Sequence, residues 1–137
     1  MGACGFDAFP SLDGICVLLV EDETDARELM EVVLRYADGE VVAVGSAAAA
    51  LDALETAHPD VLLVDLVMPG LDGYWLLDQV RALEGAARAL PAIAVTARTR
   101  IHDKARALGA GFQAYLTKPV DPLQLCRLIR ELAARSA

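Results

Sequence analysis

Five short apolar runs, separated by segments with helical periodicity, constrain the fold of this chain more than any other feature. They are Ile15–Val20, Val41–Val44, Val61–Val64, Ala92–Val95 and the weaker Gln113–Thr117. Each is continuous rather than alternating, the pattern of strands buried on both faces of a parallel sheet. Parallel neighbours need long crossovers, and the intervening segments have the spacing of helices. Ala26, Leu29, Met30, Val33 and Leu34 fall on one face of a first helix. Ser46 caps a second, which runs through Leu51 and Leu54. Leu76, Leu77, Val80 and Leu83 mark a third after the turn Pro69–Gly73. A fourth, Ile101–Leu108, is stopped by Gly109. The fifth opens at Asp121 and Pro122 and turns Leu125, Leu128, Ile129 and Leu132 inward. The expectation is an α/β domain of (βα)5 type, a parallel sheet with helices on both faces.

Folds of this kind bind ligands beyond the carboxyl ends of their strands. Strand one ends in Glu21 and Asp22, strand three in Asp65 and strand four in Thr96, while strand five is followed by Lys118-Pro119. Three carboxylates, a hydroxyl and an ammonium therefore converge on one edge. Crowded carboxylates need a cation. Magnesium suits them, being hard, oxygen-seeking and able to bridge to phosphoryl oxygens. A lysine opposite holds a phosphoryl oxygen as a point charge, and a threonine hydroxyl donates to another. A carboxylate placed in line then accepts the phosphoryl group as an aspartyl-phosphate.

Composition narrows the classes further. The 137 residues carry 12 basic and 20 acidic side chains, a net charge of −8, with no basic stripe to meet a phosphate backbone. No nucleic-acid partner is expected. Cys4, Cys16 and Cys126 form no CxxC or Cys/His cluster, so free thiols are expected, Cys16 and Cys126 buried, in a reducing, cytoplasmic setting. The N-terminus lacks the basic and apolar regions of a signal peptide, and no apolar stretch is long enough to cross a membrane. His58 and His102 have no ligand partners nearby in sequence. Residues 1–13 read as a lead-in or linker, 14–134 as one domain and 135–137 as a tail.

From about Gly14 to Leu132 the chain resembles the receiver domain of two-component response regulators. The resemblance rests on VLLVEDE, PDVLLVDLVMPGLDG, IAVTA and AGFQAYLTKPVDP taken together. It implies a flavodoxin-like, doubly wound sheet in strand order 2-1-3-4-5. It implies that Asp65 is phosphorylated by a histidine kinase or a histidine phosphotransfer protein. Glu21 and Asp22 become the acidic pair for Mg2+, with Asp22 a direct ligand, Glu21 acting through water, and Mn2+ able to substitute. The backbone carbonyl of Val67 supplies another ligand. Thr96 becomes the switch hydroxyl, Tyr115 the aromatic that follows it, and Lys118 the partner of Asp65. The Lys118–Pro119 bond is cis in such domains. Val67 and Arg98 take the two positions that tune phosphoryl lifetime. The kinase docks near helix one, while output passes through helix four, strand five and helix five to a protein target. Helices four and five are also the face on which a homodimer would form. The wording is especially similar to receivers of hybrid sensor kinases, and equally compatible with a single-domain regulator.

Two other readings share features with this one. A haloacid-dehalogenase-type phosphatase also uses an aspartate, a threonine, a lysine and magnesium. It needs a second aspartate two residues after the nucleophile, where this chain has Val67. A non-phosphorylated pseudo-receiver has usually lost the aspartate, the acidic pair or the lysine, and all are present here. The expected protein is a phosphoacceptor switch rather than an enzyme.

Overall fold

A computed structural model describes residues 9–97 and 101–136 of the chain, without the side chains of 101–103 and 135–136. Cys4, Arg98 and the side chain of His102 thus lie outside the described residues. Five strands, β1 (Cys16–Val20), β2 (Glu40–Val44), β3 (Val61–Asp65), β4 (Ala92–Ala97) and β5 (Ala114–Lys118), form one parallel sheet in the order β2-β1-β3-β4-β5. Helices α1 (Thr24–Tyr36), α2 (Ala47–Ala53), α3 (Gly73–Arg81), α4 (Ile101–Ala110) and α5 (Pro122–Ser136) supply the crossovers. The expected architecture and strand order are both present.

The continuous apolar runs are continuous because the central strands have no solvent face. All of β3 is buried, and in β1 only Cys16 is partly exposed. Alternate residues feed two cores. Val17, Leu19, Val61, Leu63, Ile93 and Val95 pack under α1 and α5 with Met30, Leu34, Leu125 and Ile129. Leu18, Val20, Leu62, Val64 and Ala94 pack under the other helices with Ala47, Ala50, Leu76, Leu77 and Val80. Ala47 and Ala50 are therefore more than helix-forming residues, since their small side chains lie buried against the sheet. The edge strands β2 and β5 are only partly covered.

Three expectations are corrected. Leu29 is 66 % exposed, because the buried stripe of α1 is centred on Met30 and Leu34 and leaves Leu29 on its solvent shoulder. Gly109 does not stop α4. The helix continues to Ala110 and is closed by Gly111, whose φ of +113° turns the chain so that the next N–H, that of Phe112, reaches back to the Ala107 carbonyl at 3.1 Å. Cys16 is half-buried rather than buried, while Cys126 is buried, and both are free.

The loop that carries Asp65 forward is tied down locally. Asp72 caps α3 by accepting from the Trp75 N–H at 3.0 Å, and the Gly73 N–H reaches the Leu66 carbonyl at 3.3 Å. Gly73 has no room for a side chain: a Cβ there would stand 2.9 Å from Val64 Cγ1 and 3.1 Å from the Asp65 carbonyl oxygen. Gly73→Ala is expected to cost about 1–3 kcal/mol through this overpacking. Urea denaturation checks it, and an unchanged midpoint contradicts the close approach.

Candidate functional site

Among the described residues, only three polar or charged side chains are buried: Glu21, Asp65 and Thr96, exposed by 1, 7 and 3 %. All three stand at the carboxyl ends of strands, beyond β1, at the end of β3 and near the end of β4. Buried carboxylates are costly unless paired. Here one ammonium serves two of them, with Lys118 Nζ 2.8 Å from Glu21 Oε1 and 3.3 Å from Asp65 Oδ2. The other oxygens are held by backbone: Asp65 Oδ1 accepts from the Val67 N–H at 3.0 Å, and Glu21 Oε2 from the Glu23 N–H at 3.2 Å. Both carboxylates are thus oriented from two sides.

Among the described residues, the electrostatics are those of a cleft with more carboxylates than cations. Burial pushes the Glu21 carboxyl above its ordinary value, and the neighbouring Asp65 adds to this against the lowering effect of Lys118. Burial alone would pull the Lys118 ammonium down, but its bond to Glu21 and the charges of Asp65 and Glu21 outweigh it, so its pKa is raised. Glu21, Asp22 and Asp65 each offer a carboxylate oxygen, and these atoms lie within 4.8 Å of one another. Among the described residues no basic side chain forms an ion pair with Asp22. An all-oxygen set of three carboxylates facing Lys118 fits a hard divalent cation of the magnesium kind.

The remaining candidates take distinct positions. Tyr115 is half-buried on β5, paired in register with Ala94, while Thr96 pairs with Thr117. The Lys118–Pro119 bond is cis. Val67 is 70 % exposed, and its backbone N–H is the one bound to Asp65 Oδ1. Burial, with the charges of Glu40 and Asp60, raises the Cys16 thiol pKa, and burial raises that of Cys126 to about 11, so neither has a nucleophile's character. Two contacts were not expected. Lys118 lies closer to Glu21 than to Asp65, and the Arg27 guanidinium of α1 reaches back to the Glu21 carbonyl. The second left one sequence signal, a basic residue within the otherwise acidic first turn of α1.

The family model described as "Response regulator receiver domain" matches residues 17–130, so this chain belongs to the receiver domain family of two-component systems. It is 43 % identical over 115 residues to an uncharacterized 14.6 kDa protein of Leptolyngbya boryana, covering 84 % of this chain and 87 % of that one. A candidate response regulator from Chloroflexus aurantiacus J-10-fl superposes with a TM-score of 0.82 at 35 % identity, over 88 % of this chain and 98 % of the other. The receiver domain of the sensor histidine kinase PA1611 from Pseudomonas aeruginosa gives a TM-score of 0.80 at 33 % identity, with the same coverages. That structure carries a magnesium ion in its active-site cleft. Other curated relatives are longer: the chain spans about half of some response regulators and 13 % of one sensor protein. No described helix is long and apolar enough to cross a membrane.

Proposed function

We propose that Asp65 is the phosphoacceptor and that the unit over residues 14–134 is a switch set by its phosphorylation. One observation carries the reading: a buried strand-end carboxylate, Asp65, is oriented by Lys118 and the Val67 N–H and stands within 4.8 Å of two further carboxylates. An Asp65 oxygen attacks the phosphorus of a phosphohistidine, the P–N bond breaks, and the imidazole of the donor leaves with its electron pair and takes up a proton. Lys118 and Thr96 hold phosphoryl oxygens through an ammonium and a hydroxyl. Glu21, Asp22, Asp65 and the Val67 carbonyl would hold Mg2+ or Mn2+, which supplies neutralisation of the charge on the transferring group. The protein assists its own modification and is not an enzyme in the sense of turning over a separate substrate.

The donor is a histidine kinase or histidine phosphotransfer protein. Its docking face is the apolar groove where Ala26, Leu29, Met30 and Val33 of α1 meet Pro119 and Val120, since Lys118 lines the same groove and links it to the cleft. The exposed Leu29, Val32 and Tyr36 of α1 suit a helical partner. On phosphorylation Thr96 moves toward the new oxygens and Tyr115 turns inward, shifting the surface of α4, β5 and α5 that meets a downstream protein or a second copy. The setting is cytoplasmic, and no nucleic acid is engaged by this unit.

Val67 sets the lifetime of the phosphoryl group, because an apolar side chain two residues after Asp65 cannot orient an attacking water. Val67→Asn is expected to speed loss of the phosphoryl group by about tenfold, short of a full general base. An unchanged decay curve contradicts this. The central reading is tested by phosphorylating the protein with phosphoramidate and Mg2+ and then reducing it with borohydride, which turns an aspartyl-phosphate into homoserine. Peptide mapping should find homoserine at position 65. Homoserine at another aspartate, or none, overturns the assignment.

A further inference from the structure

The acidic pair depends on a residue outside the cleft. Glu21 and Asp22 share a peptide plane, which contains the Glu21 carbonyl and the Asp22 N–H and is rigid. The backbone is held on both sides of the Glu21 Cα. The Glu21 N–H just before it donates to the Val44 carbonyl at the end of β2, at 3.1 Å. The Glu21 carbonyl accepts from Arg27 Nη1 at 3.0 Å. Arg27 is itself anchored in the first turn of α1, where its backbone N–H reaches the Glu23 carbonyl at 2.9 Å. The guanidinium needs space to cross from α1 to the strand end, and Gly45 leaves it. A Cβ at Gly45 would stand 3.1 Å from Arg27 Nη1.

We infer that Arg27, admitted by Gly45, is a positioning residue for the metal site: it sets the Glu21–Asp22 peptide plane so that both carboxylates aim into the cleft. Arg27 touches neither metal nor phosphoryl group. Its effect runs through the backbone of the two acids, as outer partners of metal ligands act elsewhere. This rests on the reading of the cleft as a Mg2+ site. A carbonyl free to rotate leaves Asp22 with several aims, and metal binding then bears the cost of ordering them.

Isothermal titration of the whole chain with Mg2+ tests it. Arg27→Ala should weaken Mg2+ binding by about tenfold, the lower end for outer-shell partners. Phosphoramidate labelling of this variant should fall at limiting Mg2+ and return to the wild-type rate when Mg2+ is saturating, a split that general damage to the fold would not give. Gly45→Val should weaken binding in the same way, yet add nothing in the Arg27→Ala background, because the two act through one contact. Arg27→Lys, with one compact donor in place of a fork, should fall between wild type and Arg27→Ala, and it carries the test if Arg27→Ala does not fold. Mg2+ affinity within twofold of wild type in the Arg27 variants, a defect that persists at saturating Mg2+, or additive losses with Gly45→Val overturns the inference. A wild-type chain that binds no Mg2+, or Asp22→Asn binding as well as wild type, overturns the metal reading and the inference with it.

Discussion

Asp65→Asn is expected to abolish uptake of acid-labile phosphate from a small phosphodonor, lowering the rate by more than about a thousandfold. The substitution is nearly isosteric, and the amide oxygen can still accept from the Val67 N–H as Asp65 Oδ1 does at 3.0 Å. The loop and its cap should therefore hold, so the loss reports chemistry rather than folding. What disappears is the nucleophile, because an amide oxygen at neutral pH has neither the charge nor the basicity of a carboxylate. The variant also relieves the cleft of one negative charge, so thermal stability in the absence of metal should be equal to or above that of wild type. The measurement is a time course of labelling at saturating Mg2+, beside thermal melts of both proteins. Uptake at the wild-type rate would move the acceptor to another side chain.

Much of this site was legible in the sequence because the physics that buries a strand also exposes its exceptions. Asp65 ends a run of four consecutive buried residues, Val61–Val64, and a charge in that position is either paired or functional. Thr96 and Lys118 follow from the same rule on β4 and β5, since parallel strands bring their carboxyl ends to one edge. What was not legible depends on distances between residues far apart in the chain. Lys118 lies 97 residues from Glu21, and nothing in the order of residues says that it comes closer to Glu21 than to Asp65. The Arg27 bond spans only six residues, but it depends on a guanidinium rotamer and on the gap at Gly45. The two misread glycine and leucine positions have another cause. Gly109 and Gly111 are both plausible helix stops, and only backbone φ separates them. Leu29 fits the helical period, yet the exposed shoulder it occupies is continuous with the groove assigned to the phosphodonor.

The second large effect concerns stability, and it follows from one ammonium serving two carboxylates. Lys118→Met keeps the unbranched stem and removes the charge, leaving Glu21 and Asp65, whose side chains are 2 and 8 % exposed, without a counter-charge among the described residues. Breaking a fully buried pair costs about 3–5 kcal/mol. The Lys118 side chain is 29 % exposed, so water screens part of the interaction and about 2–3 kcal/mol is expected near pH 7.5 without metal. The pH dependence has a definite sign. The Lys118 pKa is raised above its ordinary 10.5, so its stabilising contribution is complete below 10.5 and is lost only as pH rises through the higher folded value. The Glu21 pKa is raised above its ordinary 4.5, and the lysine is one of the groups that restrain it. Without Lys118 it rises further, and protonated Glu21 no longer needs a partner. The deficit of Lys118→Met should therefore be full from above the variant's Glu21 pKa up to about 10, and shrink as pH falls from that pKa to the wild-type folded one. Mg2+ should also shrink it, by supplying the missing positive charge to the same carboxylates. Urea denaturation of both proteins at several pH values, with and without Mg2+, reads all three effects. A deficit that is insensitive to pH and to Mg2+ would mean that Lys118 stabilises the fold through packing of its stem, and that the cleft tolerates its carboxylates without it.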